Sequence, residues 1–139
     1  MKISEIHNIK CLDKLYDLIE YDGPILSHII DKNNNNFLFL WINATSISNS
    51  WLVWSVENID LYNYIICNIS LRNLLLKTTD DVAIIDIDDN LNCSKFEQFN
   101  INNVPEKYIP EIDSFYDNPY LINIEPYYEF FKLKNIIYD

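Results

Sequence analysis

A chain of 139 residues, 49% of them hydrophobic, has enough apolar material for one core, which excludes global disorder. Its 21 acidic residues against 10 basic give a formal charge of −11 with a single arginine, Arg72, and that excludes direct nucleic-acid binding through phosphate neutralisation. No apolar run reaches the ~20 residues that span a bilayer and no secretory leader opens the chain, so the expectation is one cytoplasmic domain over residues 1–139, in a bacterial host, with reduced thiols at Cys11, Cys67 and Cys93.

In chain order, residues 1–24 fit two periods. Leu12, Leu15, Leu18 and Ile19 keep helical spacing, while Tyr16 and Tyr21 suit a strand. Gly23-Pro24 marks a turn or a break. Residues 25–31 are apolar and β-branched and read as a strand. The asparagine run of residues 32–36 reads as a hairpin turn, because Asn tolerates positive φ. Residues 37–43 form the return strand, with Phe37, Phe39 and Trp41 on one face and Leu38, Leu40 and Ile42 on the other. Two apolar faces imply a central strand. After a polar loop, residues 51–56 are a third strand, and Trp41, Trp51 and Trp54 are all expected in the core.

The period then changes. Over residues 57–67, Ile59, Tyr62 and Ile66 share a helical stripe flanked by Leu61 and Ile65. Ser70 is a plausible N-cap for a second helix over residues 70–77, with Leu71, Leu74 and Leu75 inward. Residues 82–87 are a fourth strand. Beyond Asp88 the pattern weakens and Pro105, Pro110, Pro119 and Pro126 punctuate it, leaving an irregular aromatic C-terminal part. Within it residues 122–124 fit a short strand, residues 127–137 a strand or a helix, and residues 113–139 an extension packed on the domain. The short connections between the first strands require antiparallel pairing, so the fold class is α+β: an antiparallel sheet with two helices on one face.

Tyr21-Asp22-Gly23-Pro24, then Trp41, Trp51-Leu52-Val53, Ser70-Leu71-Arg72-Asn73-Leu74-Leu75 and Val104-Pro105-Glu106 together form a pattern. It resembles a family of small bacterial and phage-associated domains of unknown function, over about residues 14–112. The resemblance implies a compact α+β domain and carries over no activity. The aromatic tail falls outside it.

The charge is unevenly written along the chain. Residues 1–78 hold six basic and eight acidic residues, a net −2; residues 79–139 hold four and thirteen, a net −9. Eight of the twenty aromatics fall between Phe115 and Tyr138. An acidic surface repels nucleic acid and anionic membrane and attracts basic protein. Tyrosine adds contact area at low entropic cost. Glu106, Glu111, Asp113, Tyr116, Asp117, Tyr120, Glu125 and Tyr127 are therefore the candidate partner-binding residues, with Tyr116, Tyr120 and Tyr127 expected to be at least partly exposed. Carboxylates set on a rigid surface imitate phosphates, so the partner expected is a basic protein, and the role that of a non-enzymatic inhibitor: an immunity protein, an antitoxin, or a phage anti-defence protein of the anti-CRISPR kind.

Catalytic signatures are weak by comparison. Two histidines, His7 and His28, lack metal-ligand spacing, and one glycine is too few for a phosphate loop or a nucleophile elbow, so no cofactor is expected. The best carboxylate set is Asp80, Asp81, Asp86, Asp88 and Asp89. Asp86 and Asp88 would share one side of a strand and offer two oxygens to Mg²⁺ or Ca²⁺, and the competing reading is a solvated strand end. A metal-dependent enzyme or small-ligand sensor built on that pair is the alternative function. Arg72 is read as half of a structural ion pair with Asp17 or Asp22, against an anion clamp.

Overall fold

The computed structural model describes residues 9–117, 125 and 127–137. The chain divides into two compact units: Met1–Ser55 with Thr78–Tyr108, and Val56–Lys77 with Ile109–Asp139.

The first unit is a six-stranded antiparallel sheet in which spatial order equals chain order: β1 (Asp13–Glu20), β2 (Pro24–Ile30), β3 (Asn36–Ala44), β4 (Ser48–Val56), β5 (Val82–Asp88) and β6 (Cys93–Phe99). Short turns join each neighbouring pair except β4 and β5, which residues 57–81 connect, and no strand has to cross another. On one face Phe37, Phe39, Val53, Ala83 and Ile85 form a buried cluster, with Ile29, Trp51 and Ile87 packed against it. The residues that alternate with them, Leu26, Leu38, Leu52, Trp54 and Val82, are fully buried as well. The central strands are thus apolar on both faces, as their sequences require. Each such side chain contributes about 1.5–3 kcal/mol of burial. The Trp54 indole Nε1 has no hydrogen-bond partner among the described residues, which costs about 1–3 kcal/mol of that gain.

Two hairpin turns of this unit are built the same way. In the β2–β3 turn, Asp31 Oδ1 accepts from the backbone N–H groups of Asn33 and Asn35, both at 2.9 Å, and Asn34 sits at φ 62°. In the β5–β6 turn, Asp88 Oδ1 accepts from the N–H groups of Asn90 and Asn92, again at 2.9 Å, and Leu91 sits at φ 63°. The pattern in both is Asp-x-Asn-(left-handed residue)-Asn. A carboxylate that closes its own turn satisfies backbone donors that the hairpin would otherwise leave to water.

The outer strands differ. β1 pairs with β2 through three register irregularities, and these break the period on which a strand assignment for residues 13–20 depends. β6 is missing from the sequence reading because its residues are exposed on both faces from Cys93 to Gln98, so nothing selects an alternation. Trp41 is a correction. It is 38% exposed and donates from Nε1 to Asn49 Oδ1 at 3.1 Å, because β3 is fully buried only from Asn36 to Phe39. Trp51 is half-buried, and only Trp54 is fully enclosed.

The second unit is helical: α1 (Asn58–Ile65), α2 (Leu71–Leu76) and α3 (Tyr127–Leu133). The Ser70 cap is present, its Oγ accepting from Asn73 N at 3.1 Å, and Leu71, Leu74 and Leu75 are buried as expected. The α1 stripe is not the expected one. Leu61, Tyr64 and Ile65 are buried, while Ile59 is 51% exposed. Residues 127–133 are helical, and Tyr127 and Phe131 are buried within the unit. Phe131 packs edge-on to Tyr62 of α1 at 5.3 Å and stacks on Tyr127 at 5.6 Å. The strand expected over residues 122–124 lies outside the described residues.

Candidate functional site

The acidic residues singled out in the C-terminal half do not share one unit. Glu106 belongs to the sheet unit, in a short 3-10 turn (Glu106–Tyr108); Glu111, Asp113, Asp117 and Glu125 belong to the helical unit. Counted by unit, the sheet unit carries six basic and thirteen acidic residues, a formal −7, and the helical unit four and eight, a formal −4. The steep gradient along the sequence is therefore shallower in space.

Within the helical unit, residues 110–117 form a segment anchored at alternate points. Ser114 does most of the anchoring. Its carbonyl accepts from Leu71 N at 2.8 Å and its hydroxyl accepts from Arg72 N at 3.1 Å. Those are two of the orphan N–H groups at the start of α2, so Ser70 and Ser114 cap one helix from two places in the chain. Arg72 Nη1 donates to the Pro110 carbonyl at 3.0 Å. That bond ties the guanidinium to this segment. The Tyr116 ring packs on Tyr64 at 5.3 Å, and its carbonyl accepts from the Cys67 thiol. Burial, with Tyr116, Asp117 and Cys67 close by, pushes the Tyr64 phenol well above its ordinary range, so it stays protonated.

What the anchors leave outside is acidic and apolar together. Glu111, Asp113 and Asp117 are exposed, and although the Glu111 and Asp113 carbonyls accept from Ser114 N and Phe115 N, the three carboxylates have no hydrogen bond or ion pair among the described residues. Ile112 is 74% exposed and Phe115 49% exposed. The tyrosines are the correction here. Tyr116 and Tyr127 are 5% and 0% exposed, because each fills the aromatic core of its unit, and Tyr120 lies outside the described residues. The apolar tips beside the acids are Ile112 and Phe115. Ile112 lies between two carboxylates in the sequence, which is the signal that could have found it.

The two carboxylates expected as a pair on β5 have different partners. Asp86 lines a hollow of about 350 Å³ with Ser50, Lys95, Glu97 and Tyr108, and its Oδ1 accepts from the Ser50 hydroxyl. Asp88 lines a different hollow of about 480 Å³, beside Trp51, Ile87 and Leu91. The β5–β6 register is irregular between Asp86 and Ile87, and Asp88 closes the turn that follows. The N–H of Asn92, against a desolvation that favours the neutral acid and with help from the N–H of Asn90, holds the Asp88 carboxyl below its usual range. Among the described residues no three His, Cys, Asp or Glu side chains stand together as a metal site, and no helix is long and apolar enough to cross a membrane. No family model matches the chain, and neither does any curated protein or solved structure.

Proposed function

We propose that this protein is a non-enzymatic binding protein that uses an acidic, apolar-tipped segment to cover a basic site on another protein. The carrying observation is the split within residues 110–117: Pro110, Ser114 and Tyr116 are held by α1 and α2, while Glu111, Ile112, Asp113, Phe115 and Asp117 are displayed. A segment held this way loses little entropy on docking. Unpaired carboxylates steer a basic partner toward it, and the two apolar tips slow its release. Carboxylates on a rigid loop imitate a nucleic-acid backbone, so a nuclease, toxin or other defence effector is the partner class this surface suits. An inhibitor of the immunity, antitoxin or anti-CRISPR kind is the corresponding role.

The test is capture from nuclease-treated bacterial lysate by three baits: the native chain, the triple variant Glu111→Gln/Asp113→Asn/Asp117→Asn, and Ile112→Ser/Phe115→Ser. The proposal expects a basic protein held by the native chain at low salt, shed at high salt, and lost by the triple variant. Equal capture by the native chain and the triple variant overturns it.

A further inference from the structure

β6 is an outer strand of the sheet, and its composition has a symmetry that no other strand shares. Lys95 and Glu97 lie two apart, on one face, and pair with each other at 2.7 Å. Phe96 lies between them on the opposite face, beside Ile85 of β5, and is 37% exposed. Residues 95–99 pair with β5 without irregularity, so this edge runs straight, whereas the β1 edge is broken three times. The Lys95 carbonyl accepts from the Cys93 thiol at 3.3 Å, and a straight outer strand with no strand on its far side is a template for another strand.

We propose that β6 pairs antiparallel with β6 of a second copy of this chain, about a two-fold axis at Phe96, joining two six-stranded sheets into one. The register follows from charge. A two-fold axis perpendicular to the sheet keeps each face continuous, so only registers centred on a residue are open. Centred on Phe96, Lys95 stands opposite Glu97 of the second copy and Glu97 opposite its Lys95, a square of alternating charge. Centred on Lys95 or on Glu97, like charges face each other, which disfavours the pairing. On the other face the central register sets Phe96 against Phe96, continuing the apolar row that begins at Ile85. Backbone hydrogen bonds supply the attraction and the charges set the alignment. This surface belongs to the sheet unit and is independent of residues 110–117.

Sedimentation equilibrium of the native chain, Lys95→Glu, Glu97→Lys and the double swap Lys95→Glu/Glu97→Lys tests it at physiological salt, from micromolar to millimolar protein. The native chain and the double swap are expected to dimerise. Each single reversal is expected to weaken dimerisation roughly tenfold or more, because the symmetry counts every change twice. An equimolar mixture of the two single variants is expected to recover the dimer, because each supplies the charge the other lacks. That recovery also shows that both variants are folded. A native chain that stays monomeric throughout overturns the proposal, and so does a dimer indifferent to both single reversals.

Discussion

The two units use their carboxylates in opposite ways. In the sheet unit Asp17 holds Lys14 and Ser27, Asp31 and Asp88 close turns, and Asp86 holds Ser50. In the helical unit Asp60 pairs with Lys77, while Glu111, Asp113 and Asp117 hold nothing among the described residues. The sheet carries more negative charge, and much of it is tied up in architecture, although Asp13, Glu20, Asp22 and Asp89 are exposed with no side-chain partner among the described residues. The same residue type serves as scaffold in one unit and as display in the other, and only local geometry separates the two uses.

The largest effects that sharpen this contrast concern the cores. Trp54→Ala in the sheet and Phe131→Ala in the helical unit are each expected to cost about 3–5 kcal/mol. Urea denaturation measures the loss, and amide exchange places the second one in α1, where Tyr62 loses its ring contact. Equal exchange in α1 before and after Phe131→Ala would break the assignment of Phe131 to the helical core.

The sheet unit also carries a titration that the helical acids do not. His28 is fully buried, with Nε2 2.9 Å from Asn36 Oδ1. Burial lowers its pKa to about 4, with the Asn36 contact opposing. The unfolded state, with a pKa near 6.5, binds the proton first, so stability is full above about pH 6.5 and falls as the pH drops toward 4. The expected loss over that window is about 3 kcal/mol. Urea midpoints measured across it check the slope, and His28→Gln is expected to flatten it. At lower pH Asp31 adds a second decline. Burial there favours the neutral acid, but the hydrogen bonds from Asn35 and Asn33 prevail and hold the carboxyl below its usual range, so its contribution is lost as the pH falls below about 4.

The Ser70 cap gives a smaller number: Ser70→Ala is expected to cost about 1 kcal/mol by denaturation and to raise exchange at the start of α2. Smallest of all, Glu111→Gln/Asp113→Asn/Asp117→Asn should leave stability within about 0.5 kcal/mol. A larger loss would mean that these acids are architecture after all, and the contrast between the units would disappear.

Much of this was legible in the chain where a period was strong and buried. The β2–β3 hairpin, β4, β5 and α2 with its cap follow directly from alternation, asparagine turn chemistry and the leucine spacing. What was not legible has a common cause. β6 faces solvent on both sides, and β1 carries its irregularities where an alternation should run, so neither shows a period of two. Tyr116 and Tyr127 looked like surface because composition alone does not reveal that the aromatic partners Tyr64 and Phe131 wait for them. Asp86 and Asp88 both lie on β5 as expected, but Asp88 ends the strand and turns its carboxylate to the hairpin, which the alternation alone does not reveal. The repeat of Asp31-Lys32-Asn33-Asn34-Asn35 in Asp88-Asp89-Asn90-Leu91-Asn92 was the available clue that a hairpin, and so a further strand, follows β5.

That repeated turn also bears on how the sheet assembles. Asn34 and Leu91 occupy the same left-handed position, but asparagine visits that conformation readily and leucine does not. The chain thus contains two versions of one hinge, one supple and one reluctant. On that ground the β2–β3 hairpin is expected to close earlier than the β5–β6 hairpin, which refolding kinetics of the native chain and Leu91→Asn would check. Leu91→Asn should quicken closure of that last hairpin, turning the slower hinge into a copy of the faster one.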